Sequence, residues 1–186
     1  MSLKLINQPA TEPITLAEAK THLRVTAADE DTYIASLITM AREVFEAKTG
    51  QAMIAQTWRK TLDSFPSAIE LPVTPVQSIT SVKYLDTNNN LQTLNPANYT
   101  LDNASDYKSA WVLPAYGYDW PDTSGAINAV QVDYVAGFTA IPQAYKHWML
   151  VVIAHFYRNR ESATELNLQP LAHLDALITR KKVWYA

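Results

Sequence analysis

The sequence predicts an α+β fold: mainly an α-helical bundle of about four helices, with an inserted β-rich subdomain. Three observations carry this reading. Apolar residues recur at helical spacing near both ends of the chain, over residues 16–48 and again over 142–182. Between them, Pro66, Pro72 and Pro75 forbid long helices, and short β-branched runs alternate as strands do. Neither terminal pair of helices is large enough to hold a core alone, so the simplest solution packs both pairs into one bundle. The expected boundaries are 1–52 for the N-terminal helical part, 53–140 for the insert and 141–186 for the C-terminal helical part, as one folding unit.

Each element has its own signal. Residues 1–14 read as extended. Thr15-Leu16-Ala17-Glu18 then spells a capping box, a hydroxyl N-cap with Glu at N3, and opens a short helix to about Leu23. Asp29, Glu30 and Asp31 place negative charge where a second helix begins. Ile34, Leu37, Ile38, Ala41, Val44 and Phe45 form its apolar face, and Gly50 suits its left-handed C-terminal cap. Trp58 to Asp63 and Val76 to Asp86 alternate as strands; Asn88-Asn89-Asn90 reads as a turn, with Leu91 to Leu94 pairing back. Tyr99 to Leu101, Ala110 to Leu113 and Ala129 to Val135 are further short strands.

Pro142 suits the first turn of a helix running to Arg160. Tyr145, Trp148, Met149, Val152, Ile153 and Phe156 give that helix an apolar surface over more than half its circumference, so it is central to a core or covered by a partner. Residues 161–168 read as a polar linker, and Pro170 to Lys182 as a last helix with Leu171, Leu174, Leu177 and Ile178 on one face.

Composition narrows the function. The 186 residues include no cysteine, which excludes disulfides and thiolate zinc sites. No run approaches 18 consecutive apolar residues, so no membrane contact is expected, and Met1 to Ala10 does not read as a secretory signal. A pI near 5.8 argues against general nucleic-acid binding. Charge is uneven. Residues 51–140 carry four basic and eight acidic side chains, whereas residues 141–186 carry six basic and three acidic. Such asymmetry allows attraction between neighbouring copies.

Signals for chemistry are weak. His147 and His155 lie eight apart on one helix, whereas helical chelation favours spacings of three or four. There is no nucleophile elbow and no phosphate-cradling glycine loop, and nothing marks a catalytic pair among the carboxylates. Neither an enzyme activity nor a cofactor or metal is expected. The dense aromatic group Trp111, Tyr116, Tyr118 and Trp120 offers an alternative, a binding module with a platform for carbohydrate or peptide.

Several stretches together resemble a known family. They are Thr11 to Lys20 with His22-Leu23-Arg24-Val25, Ala41-Arg42-Glu43 through Gly50, Gln56-Thr57-Trp58, Pro75 to Ile79, Pro114 to Gly117 with Trp120-Pro121, Tyr134 to Phe138, and Ile153 to Tyr157 with Asn159-Arg160-Glu161. In order and spacing they resemble the head–tail connector (adaptor) proteins of long-tailed bacteriophages and prophages. The segment Leu166 to Leu171 departs from the family's glycine-containing pattern before the last helix.

The resemblance implies a structural subunit of the virion neck, made in the bacterial host cytoplasm during assembly. It implies a ring of about a dozen copies under the portal protein, meeting the next head-completion or tail protein, with DNA passing through the lumen without sequence-specific binding. On that basis Trp148, Met149, Val152, Phe156, Leu37 and Phe45 are the expected contacts between copies. Arg180, Lys181, Lys182, Val183, Trp184 and Tyr185 are the expected portal-docking residues.

Overall fold

The computed structural model describes residues 2–160 and Ile178. The elements run β1 (Ser2–Asn7), α1 (Leu16–Leu23), α2 (Asp31–Thr49), β2 (Gln56–Leu62), β3 (Ile69–Leu71), β4 (Val76–Leu85), β5 (Leu91–Thr93), β6 (Tyr99–Asp102), β7 (Ala110–Pro114), β8 (Val130–Ala136) and α3 (Gln143–Arg158). A single 3₁₀ turn, Pro96–Asn98, precedes β6.

This corrects the expected architecture. Among the described residues there are three α-helices and eight strands in two antiparallel sheets. The protein is therefore α+β with substantial sheet, not a mainly helical bundle of four. Short strands such as β3 and β5 look minor in sequence, but each counts through the partner it pairs with. Ser2–Asn7, which reads as an extended tail, is an edge strand paired antiparallel with β2. The linker 161–168, the helix expected at 170–182 and the docking residues 180–185 lie outside the described residues, apart from Ile178, which is helical and buried.

The chain divides into two compact units, residues 1–9 with 55–138 and residues 10–54 with 139–186. The first holds both sheets, of order β1-β2-β8-β4-β5 and β3-β7-β6. Strand β8 sits centrally, and its alternation buries Val130, Val132, Tyr134 and Ala136. Leu62, Ile69, Leu71, Val82 and Val112 are buried in the core of the same unit. Arg59 and Asp133 are directly opposed across β2 and β8, and their side chains form a two-pronged pair at 2.7 and 2.8 Å.

In the second unit the capping box closes as its sequence requires. The Glu18 amide donates to Thr15 Oγ1 at 3.1 Å, and the Thr15 amide donates to Glu18 Oε2 at 2.7 Å. The Thr15 amide, and then the Thr15 hydroxyl that donates to Glu18 Oε2 at 2.9 Å, hold the Glu18 carboxyl below its ordinary range, and nearby Lys146 adds to it. Gly50 ends α2 at φ 67°, in the left-handed conformation that glycine adopts without strain. Helices α2 and α3 pack through aromatic contacts, with Phe45 4.8 Å from Tyr145 and 5.9 Å from Trp148, ring centre to ring centre.

Candidate functional site

The residues expected to join copies lie mostly inside the chain's own helical unit. Phe45, Trp148, Met149 and Val152 are at most 2% exposed, and Leu37 is buried with them. They form the core between α2 and α3, which leaves them no surface to offer a neighbour. Phe156 alone of the set is half-buried. Of the two explanations for the apolar circumference of α3, burial within its own unit accounts for these side chains.

Arg42 of α2 is also buried, at 3% exposure. Its Nε donates to Glu12 Oε2 at 2.8 Å and its Nη1 to Glu46 Oε2 at 3.1 Å. Glu12 also accepts from Thr39 Oγ1 at 2.9 Å, and Glu46 Oε1 from the Met53 amide at 3.1 Å. Burial alone would lower the Arg42 pKa, but the bond to Glu12 and the charges of Glu46 and Glu12 outweigh it, and the net direction is upward. The cluster ties the segments before and after α2 to the helix. Its two carboxylates converge on a cation, an arrangement for fastening rather than for acid–base chemistry.

A second cluster fixes the end of α3. Glu30, at the start of α2, accepts from the Tyr157 hydroxyl and from Arg160 Nη2. The Arg160 guanidinium lies 4.9 Å from the ring centres of both Tyr33 and Tyr157. The Tyr157 bond and then Arg160 hold the Glu30 carboxyl below its usual range, and the same bond raises the Tyr157 hydroxyl.

Between α1 and the first half of α3 lies a groove of about 540 Å³. Ile14, Ala17 and Leu150 line it, together with Thr21, His22, Gln143, His147 and the Glu18–Lys146 pair at 3.6 Å. Sequence reasoning missed this site, because α1 and α3 are distant along the chain. His22 and His147 both line it, whereas His155 sits half-buried, edge-on to Phe156 at 5.4 Å. Among the described residues no group of three His, Cys, Asp or Glu is placed to hold a metal ion, and no helix is long and apolar enough to cross a membrane.

The four aromatics of the alternative reading separate into two kinds. Trp120 is half-buried and stacks on Phe65 at 4.7 Å with the planes 7° apart. Trp111, Tyr116 and Tyr118 are exposed, and Tyr116 is fully so. Trp111 and Leu113 share the outer face of β7, with Glu70 and Asp102 opposite Trp111 on the flanking strands.

The sequence profile of the Phage gp6-like head-tail connector protein family matches residues 13–110, more than half of the chain. The chain belongs to that family and is a structural head–tail connector protein. A search of curated proteins returns no match.

Among solved structures, the chain is similar to one from the neck of an empty GTA particle computed with C6 symmetry. The TM-score is 0.79 at 24% identity, covering 100% of this chain and 97% of that one. It is similar to a chain from the virion of a native gene transfer agent (GTA) particle, with a TM-score of 0.76 at 22% identity and the same coverage. A chain from the neck of the native GTA particle computed with C12 symmetry gives a TM-score of 0.66 at 22% identity, covering 95% and 94%. At these identities the likeness is one of fold, and it extends over nearly the whole of each chain.

Proposed function

We propose that this connector is a non-enzymatic ring subunit of the neck of a tailed phage, prophage or related particle. About a dozen copies close beneath the portal, join it to the next head-completion or tail protein, and leave a lumen through which DNA passes. The observation that carries the reading is the family match over residues 13–110, supported by a fold shared along its length with chains from necks solved with sixfold and twelvefold symmetry. A closed ring needs two different complementary surfaces on every copy. Half-buried Phe156, the exposed aromatics of the sheet unit, and exposed Leu91 and Ile127 offer apolar surface for such contacts.

Arg180, Lys181 and Lys182 followed by Val183, Trp184 and Tyr185 supply a cationic and aromatic end suited to docking on the portal. The test is portal binding by the full chain and by a chain lacking residues 180–186. Loss of binding on truncation is expected; unchanged binding would remove the docking role.

A further inference from the structure

The loop after β7 is built as a rigid projection. Its acidic sequence, Ala115-Tyr116-Gly117-Tyr118-Asp119-Trp120-Pro121-Asp122, contains no basic residue. The Ala115 amide donates to the Asn98 carbonyl at 2.9 Å, and the Tyr118 amide closes a turn on Ala115 at 2.9 Å. Gly117 occupies the turn at φ 81°, and a Cβ built there meets nothing within 4 Å, so the tip faces open space. Trp120, stacked on Phe65, anchors the far side. The tip presents Tyr116 fully exposed and Tyr118 half exposed, with Asp119 beside them. A tyrosine held out by such a frame binds at little further cost in entropy.

The groove between α1 and α3 has a mixed lining. Ile14, Ala17 and Leu150 are its apolar members, and Lys146, His22 and His147 bring nitrogen groups beside Glu18, which pairs with Lys146 at 3.6 Å. Its volume of about 540 Å³ lies in the range that encloses a small aromatic ligand.

We propose that the Tyr116–Asp119 tip of one copy seats in the α1–α3 groove of the next. The phenol ring covers the apolar residues, its hydroxyl donates to the Glu18 carboxylate, and Asp119 shares Lys146 with Glu18 and faces the histidines. Loop and groove belong to different units of the chain. Tip and groove are different surfaces, so when the exchange is not reciprocal the contact is heterologous and repeats from copy to copy, as a ring requires; a reciprocal exchange would stop the doubly changed chain at a dimer. This inference rests on the ring reading above and names one of its joints.

The absence of cysteine gives a clean background for the test. Asp119→Cys and His147→Cys both alter exposed side chains and leave the Tyr116 anchor in place, so both variants should fold and keep the contact. Under mild oxidation, the chain carrying both changes is expected to give a ladder of cross-linked species. An equal mixture of the two single variants is expected to stop at a mixed dimer. Tyr116→Ala is expected to weaken self-association at least about tenfold, as the loss of an interface anchor does. If the unmodified chain forms rings while the mixed singles give no dimer and Tyr116→Ala associates normally, this joint is overturned and the ring reading stands. If neither association nor cross-linking occurs at any concentration or on the portal, both fail.

Discussion

Replacing Arg42 by methionine keeps much of the aliphatic stem and removes the cation from the cluster beneath α2. The Arg42 side chain is 4% exposed, and its partners Glu12 and Glu46 are 30% and 16% exposed. Breaking a buried ion cluster by removing one partner costs about 3–5 kcal/mol, because the remaining charge is left uncompensated. Glu12 reaches water, so the lower end, about 3 kcal/mol, applies. For a chain of this size each kcal/mol moves Tm by about 2–4 °C, giving an expected loss of about 6–12 °C. Thermal and urea unfolding followed by circular dichroism measure it. Arg42→Lys keeps the charge and forfeits the planar fork, and should fall between. A loss for Arg42→Met of less than about 1 kcal/mol, the worth of a surface pair, would refute the reasoning.

Three further outcomes are expected. Phe45→Ala, which empties a fully buried site between Tyr145 and Trp148, should cost about 3–5 kcal/mol by urea unfolding. Trp120→Ala should cost about 2 kcal/mol, less than for a fully buried tryptophan because the ring is half-buried, and Trp120→Phe should recover much of it. The third concerns pH. The Glu18 carboxyl is depressed in the fold below the ordinary carboxylate range, so its contribution is present above that range and is lost as pH falls through the lower folded value. Thr15→Ala should remove about 1 kcal/mol near neutral pH and flatten part of the acid-side loss of stability, measured as Tm against pH.

Local chemistry was the most legible part of the fold. The Thr15 capping box and the Gly50 cap depend on residues a few positions apart, and both form where their spacing places them. The strands of the middle region were legible as alternation, but their weight was not. The pairing of Ser2–Asn7 with β2, and of Arg59 with Asp133, joins segments that nothing in the local pattern connects. Hydrophobic size does not distinguish a core position from a contact between copies. Trp148 and Phe45 are large because they fill a core, and the sequence left open whether α3 is covered by its own chain or by another. Arg42 sits among helix residues as an ordinary charge would, and only the fold brings Glu12 to it. The groove depends on α1 meeting α3, a contact of tertiary structure alone. The aromatic loop, in contrast, was visible from composition, and the structure sorts its members into one anchor and three exposed rings.

The most direct test of the connector account is native mass across a range of concentration, with negative-stain images of each fraction, alone and with the portal ring. The account predicts a closed ring of about a dozen copies, formed either in solution or on the portal as template. A chain that stays monomeric at every concentration and binds no portal would contradict it.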